Sequence, residues 1–378
     1  MKICFVVEHF PPHIGGGEKM FKEYSSRLVQ AGCEVKVITS NSGGLTGTFV
    51  EDGVEIHRFA WKSFFGHPVP RKKDLRNFIS WSDLVHTGTY TAAPITLAVA
   101  RRFNKPCVVT VHEVLGKRWF WIEESRLKAA LFCAFERYVI KQDYSLYHAV
   151  SYATQRDLLQ AGIDESRTVT IYHGVEAPPV SLHREKNMPS ILGKADEEKL
   201  FLYFGRPGKT KGVYVLLDAI EHLKDLLPPT VRFAFVLSRE PRNERKAFIE
   251  EVGRRRLPEQ PTIFEPLGYE ELGRAILECY CVIVPSITEG FGFTAAETCA
   301  LKHPVIASDG GSLPEVVSGK ALFFQNRNSQ DLAEKIMLAL QNRFIVIPEK
   351  VFDWNPSTRK LLECYKGVLA GRINSFHQ

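Results

Sequence analysis

No apolar run in the chain approaches the roughly 18 residues that a membrane-spanning helix needs, so no transmembrane span is expected. A secretory leader is not expected either. In MKICFVVEHFPP the apolar run is short, Glu8 interrupts it, and no small-residue cleavage site follows. The C-x-x-C pair is missing, and the eight cysteines are scattered as Cys4, Cys33, Cys107, Cys133, Cys279, Cys281, Cys299 and Cys364. Most fall in apolar segments, where cysteine acts as a small hydrophobe. Such spacing supports neither a zinc site nor a disulfide framework, and a cytoplasmic location is the expectation. G-x-G-x-x-G is absent too, which disfavours a dinucleotide oxidoreductase. The net charge of +6 is mild and does not by itself imply a nucleic-acid partner. What is present is globular in composition: 44% hydrophobic and 24% charged residues in 378, too many for one core and enough for two domains.

The hydrophobic rhythm repeats in two halves. KICFVVE reads as a strand buried on both faces, HFPPHIGGG as a loop, EKMFKEYSSRLVQAG as a helix closed by Gly32, and EVKVITS as the next strand. This βαβ rhythm continues through DLVHTG, CVVTVHE, a helix over Arg126–Lys141, YSLYHAVS, a helix capped by Ser151, and TVTIYHGV. Glu176–Lys199 is polar, proline-bearing and aperiodic, and reads as a linker. The pattern restarts at LFLYFGR and runs through RFAFVLS, CVIVPS and PVIASD, with helices over ELGRAILEC and TAAETCALK. The expected architecture is α/β, with two facing Rossmann-like, doubly wound domains and a central cleft. The domains are placed at residues 1–178 and 179–355, with a C-terminal helix, 356–378, packing back on the first.

In such sheets ligands bind beyond the carboxyl ends of the strands, so the loops there are the ones to examine. After the first strand, Gly15, Gly16 and Gly17 precede a helix, which suits either a tight turn or backbone approach to an anion. After the first strand of the second half, Arg206 and Lys211 stand five apart at a helix start. The helix dipole disfavours solvated cations there, and a diphosphate would resolve the conflict. After CVIVPS, Glu289 and Glu297 stand eight apart around Gly290, Phe291, Gly292, Phe293 and Thr294. Carboxylates accept hydrogen bonds from hydroxyls, which points to sugar chemistry; Glu297 suits either a ribose diol or a plain surface acid at a helix start. Two basic stretches beside aromatics, PRKKDLR (Pro70–Arg76) and GKRWFW (Gly116–Trp121), are either solvated surface or contacts for an anionic membrane or lipid phosphate.

With these loops on the page, the chain resembles the retaining glycosyltransferases of family 4, of the GT-B fold, nearly end to end. PPHIGGGE, VVTVHE, HGVE, GRPGKTKGVYVLLDA and ITEGFGFTAAETCALKHPVIASDGGSLPEVV carry the resemblance, and the E-x7-E element is its most specific part. The resemblance implies transfer of a hexose-type sugar from a UDP- or GDP-linked donor to a glycan or lipid-linked glycan precursor. It gives Arg206 and Lys211 the diphosphate, Glu289 the transferred sugar, and Glu297 the ribose. The backbone of Gly290, Phe291, Gly292, Phe293 and Thr294 holds sugar and phosphate. Gly15, Gly16 and Gly17 approach the diphosphate from the other domain, and His112 hydrogen-bonds the sugar. His9, His13, His86 and His173 are lesser candidates, His173 with a structural role. No cofactor is expected, and no metal, since Asp-x-Asp is absent and two cations take its place.

Alternatives stay open. A sugar-nucleotide epimerase or a phosphorylase could share the fold, although the chain is short for the latter and lacks an evident pyridoxal lysine context. A degenerate sugar-nucleotide binding subunit would be expected to have lost Arg206, Lys211 or Glu289, and all three are present. VLSREPRNER departs from the glycine-bearing loop usual at that place. Gly43–Arg76 and GKRWFWIEESR are the candidate acceptor and peripheral-membrane surfaces, and no nucleic-acid partner is expected.

Overall fold

The computed structural model describes residues 1–41, 44–64, 66–180, 190–255, 257 and 260–372. Most of the linker's middle, residues 181–189, lies outside them, as do Gly43 and Phe65 of the candidate acceptor segment. The chain divides into two compact units, Met1–Gly174 with Phe352–Gln378, and Val175–Val351.

In the first unit the strands are β1 (Lys2–Val6), β2 (Glu34–Ser40), β3 (Gly47–Glu51), β4 (Val54–Phe59), β5 (Lys62–Phe64), β6 (His67–Val69), β7 (Leu84–Gly88), β8 (Cys107–Val111), β9 (Leu146–Ala149) and β10 (Thr168–Thr170). Among the described residues eight of them form one sheet in the order β10-β9-β8-β7-β1-β2-β4-β3, while β5 and β6 pair separately. Every neighbouring pair in the large sheet is parallel except β3–β4. Ile3, Cys4, Phe5 and Val6 of β1 are all fully buried, as a strand covered on both faces requires. The strand order reverses between β1 and β7, and the loops that leave those strands open onto the switch point.

The second unit repeats the plan with β11 (Lys199–Gly205), β12 (Val231–Leu237), β13 (Thr262–Phe264), β14 (Cys281–Val284), β15 (Val305–Ser308), β16 (Gly319–Phe324) and β17 (Ile345–Ile347). Their order is β13-β12-β11-β14-β15-β16-β17, parallel apart from the terminal β16–β17 pair. Here the order reverses between β11 and β14. Both units are therefore doubly wound α/β domains with antiparallel additions at an edge.

The expected C-terminal helix, 356–378, spans Trp354–Leu369, with residues 373–378 outside the described ones, and the start of the first helix differs as well. The first helix spans Gly16–Gln30 with Gly15 as its N-cap, so Gly16 and Gly17 open the helix rather than precede it. Glycine is costly within a helix, but at the first turn the tertiary setting decides, and Gly17 lies against a neighbouring side chain described below.

The helix Trp354–Leu369 belongs to the first unit. Asp353 caps it by accepting the N–H of Asn355 at 2.8 Å. Its buried side chains, Trp354, Thr358, Leu361, Cys364, Tyr365 and Val368, recur at helical spacing. The Trp354 ring stands edge-on to Tyr24, with centroids 5.4 Å apart, and stacks on His173 at 6.0 Å. Deeper in, a buried polar chain crosses the sheet. His148 Nε2 donates to the Ile171 carbonyl (3.0 Å), which obliges its Nδ1 to accept from the Thr110 hydroxyl (2.9 Å). The Thr110 oxygen then accepts from His86 Nε2 (2.7 Å), and His86 Nδ1 accepts from the Tyr365 hydroxyl. The whole chain closes with both imidazoles neutral.

Burial holds His86 and His173 well below the usual imidazole range and His148 at about 4. In the unfolded chain these groups protonate near the ordinary histidine value, so the stabilisation is present above about pH 6.5. It is lost as pH falls toward about 4, because unfolding then takes up protons. Urea unfolding followed at a series of pH values should show the first unit weakening through this window by about 1.4 kcal/mol per pH unit for each histidine. A midpoint independent of pH there would contradict the neutral chain.

Candidate functional site

In the second unit, chemistry gathers on the loops that leave β11 and β14, on either side of the strand-order reversal. The backbone joins them first. The N–H groups of Ile287 and Thr288 both reach the Thr210 carbonyl, at 2.8 and 3.3 Å. Gly212, which begins the helix Val213–His222, has φ +66°, and a Cβ there would lie 1.8 Å from the Pro285 carbonyl oxygen. Only glycine permits so close an approach. With the loops held together, Lys211 Nζ meets Glu289 Oε2 at 2.7 Å. The dipole conflict expected at this helix start is thus answered by the chain's own carboxylate. Arg206 is exposed, and its side chain makes no hydrogen bond or ion pair among the described residues. Its carbonyl accepts the Tyr203 hydroxyl at 2.5 Å. Burial pushes the Tyr203 phenol up and the Glu289 carboxylate adds to the shift, so the phenol stays protonated as that donor.

Glu289 is fixed from behind by Gly310, Gly311 and Ser312. The Ser312 N–H donates to the Glu289 carbonyl at 3.1 Å, and the Ser312 hydroxyl reaches the carbonyls of Glu289 (3.2 Å) and Phe291 (2.8 Å). Gly311, at φ +58°, packs so closely that a Cβ would stand 2.3 Å from the Glu289 carbonyl oxygen. Asn326 Nδ2 donates to the Ile287 carbonyl at 2.7 Å. Gly292 caps the helix Phe293–Ala300, and Thr294 stands in its first turn. The Phe291 and Phe293 rings meet edge to face at 5.1 Å. Glu297, one turn further on, is 7% exposed; the Tyr269 hydroxyl, which donates to the Glu176 carbonyl at 2.8 Å, stands 3.4 Å from its Oε1. A surface acid at a helix start is therefore not its setting. Ser312, Gly311, Tyr203, Tyr269 and Asn326 were not singled out by sequence. The SDGGS run was visible, but its neighbour across the fold was not.

In the first unit the structure brings Gly17 and His112 together. His112 follows β8, and a Cβ on Gly17 would lie 3.2 Å from its Nε2. Phe21 lines the same imidazole edge-on at 6.3 Å. Next to this, Glu8 closes the start of the helix Ala92–Arg102. Its Oε1 accepts the N–H groups of Tyr90 and Ala92 (both 3.2 Å) and of Thr91, with the Thr91 hydroxyl at 2.6 Å. Burial alone would push the Glu8 carboxyl up, but the bonds from His67 and Thr91 outweigh it and the net shift is downward. An internal carboxylate thus holds the anion position of that helix. Of the lesser candidates, His86 and His173 belong to the buried core already described, and His9 stacks on His13 at 4.2 Å. No group of three or more His, Cys, Asp or Glu among the described residues is arranged to hold a metal ion.

Comparison with known proteins follows the same division. The family described as Glycosyltransferase Family 4 matches residues 14–177, and that described as Glycosyl transferases group 1 matches residues 184–360. The glycogen synthase of Mycobacterium tuberculosis is 24% identical over 346 residues, 84% of this chain and 80% of that one. A D-inositol 3-phosphate glycosyltransferase of Jonesia denitrificans is 25% identical over 272 residues, 69% of this chain and 64% of that one. Among solved structures, sucrose-phosphate synthase from Thermosynechococcus elongatus aligns with a TM-score of 0.76 at 19% identity, over 98% of this chain and 99% of that one. Anabaena HepE in complex with UDP-glucose aligns with a TM-score of 0.76 at 18% identity, over 97% and 100%. The structural likenesses establish the fold, and the two family matches, one to each half, establish the kinship. The chain belongs to the glycosyltransferases of family 4 and group 1, and its fold is GT-B.

Proposed function

We propose that the chain moves a hexose-type sugar from a UDP- or GDP-linked donor to a hydroxyl of a glycan or lipid-linked glycan precursor, with retention at the anomeric carbon. The observation that carries this reading is the Lys211–Glu289 pair, set on the two loops at the strand-order reversal with Arg206 exposed on the same loop as Lys211. As the bond from the anomeric carbon to the diphosphate breaks, negative charge grows on the departing phosphate oxygen. Arg206 and Lys211 are the groups that stabilise it. When Lys211 turns to phosphate, the Glu289 carboxylate is released to accept hydrogen bonds from sugar hydroxyls. Its backbone stays pinned by Ser312, so the carboxylate is already in place. Glu297, buried beside the Tyr269 hydroxyl, is the carboxylate this reading assigns to the ribose diol.

The proposed transfer needs no carboxylate nucleophile of the kind that retaining glycosidases use. The acceptor oxygen attacks the face from which the diphosphate leaves, and its proton passes to the departing phosphate oxygen. His112 and the helix start at Gly15, Gly16 and Gly17 keep the roles that the family resemblance gives them. With two cations on the leaving group, the reaction is read as metal-independent.

A thermal-shift screen against nucleoside diphosphates and their sugars, without added metal, should single out one nucleotide. At a hundredfold excess over Kd the stabilisation is about 2.7 kcal/mol, a rise of roughly 5–10 °C for domains of this size. No shift with any nucleotide would sink the donor assignment. Transfer should survive EDTA undiminished; activity lost to the chelator and restored by magnesium would overturn metal independence. Glu289→Gln should lower kcat about 100-fold or more while changing nucleotide affinity little, and a fully active variant would remove Glu289 from the mechanism. Gly311→Ala, which drives a Cβ into the Glu289 backbone, should produce a similar loss without altering any charge. Glu297→Ala should instead weaken nucleotide binding about tenfold with kcat at saturating donor largely kept, as titration calorimetry alongside kinetics would show.

A further inference from the structure

The helix Arg126–Ile140 has two faces of opposite character. Ala129, Glu136, Val139 and Ile140 are buried against the unit. On the opposite side Leu127 is 73% exposed and Leu131 and Tyr138 are each 54% exposed, with exposed Ala134 between them. Positions i, i+4, i+7 and i+11 fall on one stripe of an α-helix. The short helix Trp119–Ile122 just before it adds Phe120 and Trp121, both exposed. The Trp119 ring packs on Phe132 at 5.0 Å and holds the short helix on the long one. Five large apolar side chains therefore reach solvent from one short stretch. Singly scattered exposed apolar residues need no explanation, but five from one short segment do.

Cations outnumber acids around the stripe. At 100° per residue, Arg126 and Arg137 border it on one side and Lys128 on the other. Lys117 stands exposed in the preceding turn. Among the acids of this segment Glu136 points inward, Glu123 is paired with Lys128 at 2.7 Å, and Glu124 is exposed. An apolar stripe with guanidinium and ammonium borders, and a tryptophan at its end, complements a layer of anionic headgroups over acyl chains.

We propose that this face, Phe120, Trp121, Leu127, Leu131 and Tyr138 between Arg126, Arg137 and Lys128, docks on the surface of an anionic phospholipid bilayer. No helix among the described residues is long and apolar enough to cross a membrane, so the contact is peripheral. The same helix steadies a functional loop. Glu136 accepts the N–H groups of Leu115 (2.9 Å) and Gly116 (2.6 Å) and the Tyr90 hydroxyl (2.9 Å). That loop begins at His112, so the element that meets lipid also fixes the segment after this histidine. The proposal does not rest on the donor assignment.

The test is co-sedimentation of the purified full chain with vesicles of phosphatidylcholine alone or mixed with phosphatidylglycerol, at low and high salt. The unaltered protein should pellet with the anionic vesicles at low salt, release in high salt, and ignore phosphatidylcholine. Leu127→Ser/Leu131→Ser and Arg126→Glu/Arg137→Glu should each weaken binding about tenfold or more, with the melting temperature unchanged because the substituted side chains are exposed. A protein that stays in the supernatant with anionic vesicles overturns the proposal, as do variants that bind like the parent. Sedimentation velocity covers the rival occupant. If the serine variant turns a dimer into a monomer while vesicle binding is absent, the stripe belongs to a second copy of the chain and the membrane reading fails.

Discussion

The second unit's chemistry depends on one carbonyl, that of Thr210, which accepts two N–H groups from the loop after β14. That bond pair brings two loops nearly eighty residues apart in sequence, about 78 from Lys211 to Glu289, into register. The ion pair cannot be what joins them. A lysine 31% exposed beside a carboxylate contributes on the order of 0–1 kcal/mol. The backbone bonds, with glycines at 212 and 311 removing every obstacle to close approach, do the joining, and the charges are carried into place. An ion pair worth so little is easily exchanged, as the proposed phosphate contact of Lys211 requires.

The first unit is organised around a different constraint, the satisfaction of buried polar groups. Each imidazole in the chain from Tyr365 to Ile171 would cost about 1–3 kcal/mol if left without a partner, and the terminal carbonyl sets the direction of every bond in it. Tyr365 supplies the last donor from the C-terminal helix. The distant end of the chain is therefore part of the core that supports β7 and β8, and β8 in turn leads to His112. Glu8 and Glu136 act likewise, each tying a loop at the carboxyl edge of the sheet to a helix.

Much of the fold was legible because a doubly wound sheet leaves a strong mark. Central strands such as β1, β11 and β14 are covered on both faces and must be continuous apolar runs. Ser151 could be placed as a cap because its hydroxyl accepts the Thr154 N–H, a local bond. The edges were illegible for the opposite reason. All five residues of β3 are exposed, so no hydrophobic pattern marks it, and β17 is little different. Gly16 and Gly17 read as loop preceding a helix, yet they open that helix, where Gly17 meets His112.

By itself the sequence determined which residue types stand after which strands: cations after β11, acids and glycines after β14, a histidine after β8. Those are local facts, fixed by strand periodicity and by the breaks between strands. Only the tertiary structure decided who partners whom. That Lys211 is answered by Glu289, that the Gly310–Ser312 run braces the Glu289 backbone, that Glu297 is buried, and that an apolar stripe on Arg126–Ile140 faces water are outcomes of packing between segments far apart in sequence. Periodicity reports that a helix has an apolar stripe. Which stripe the core takes, and which it leaves to solvent, depends on the sheet beneath it.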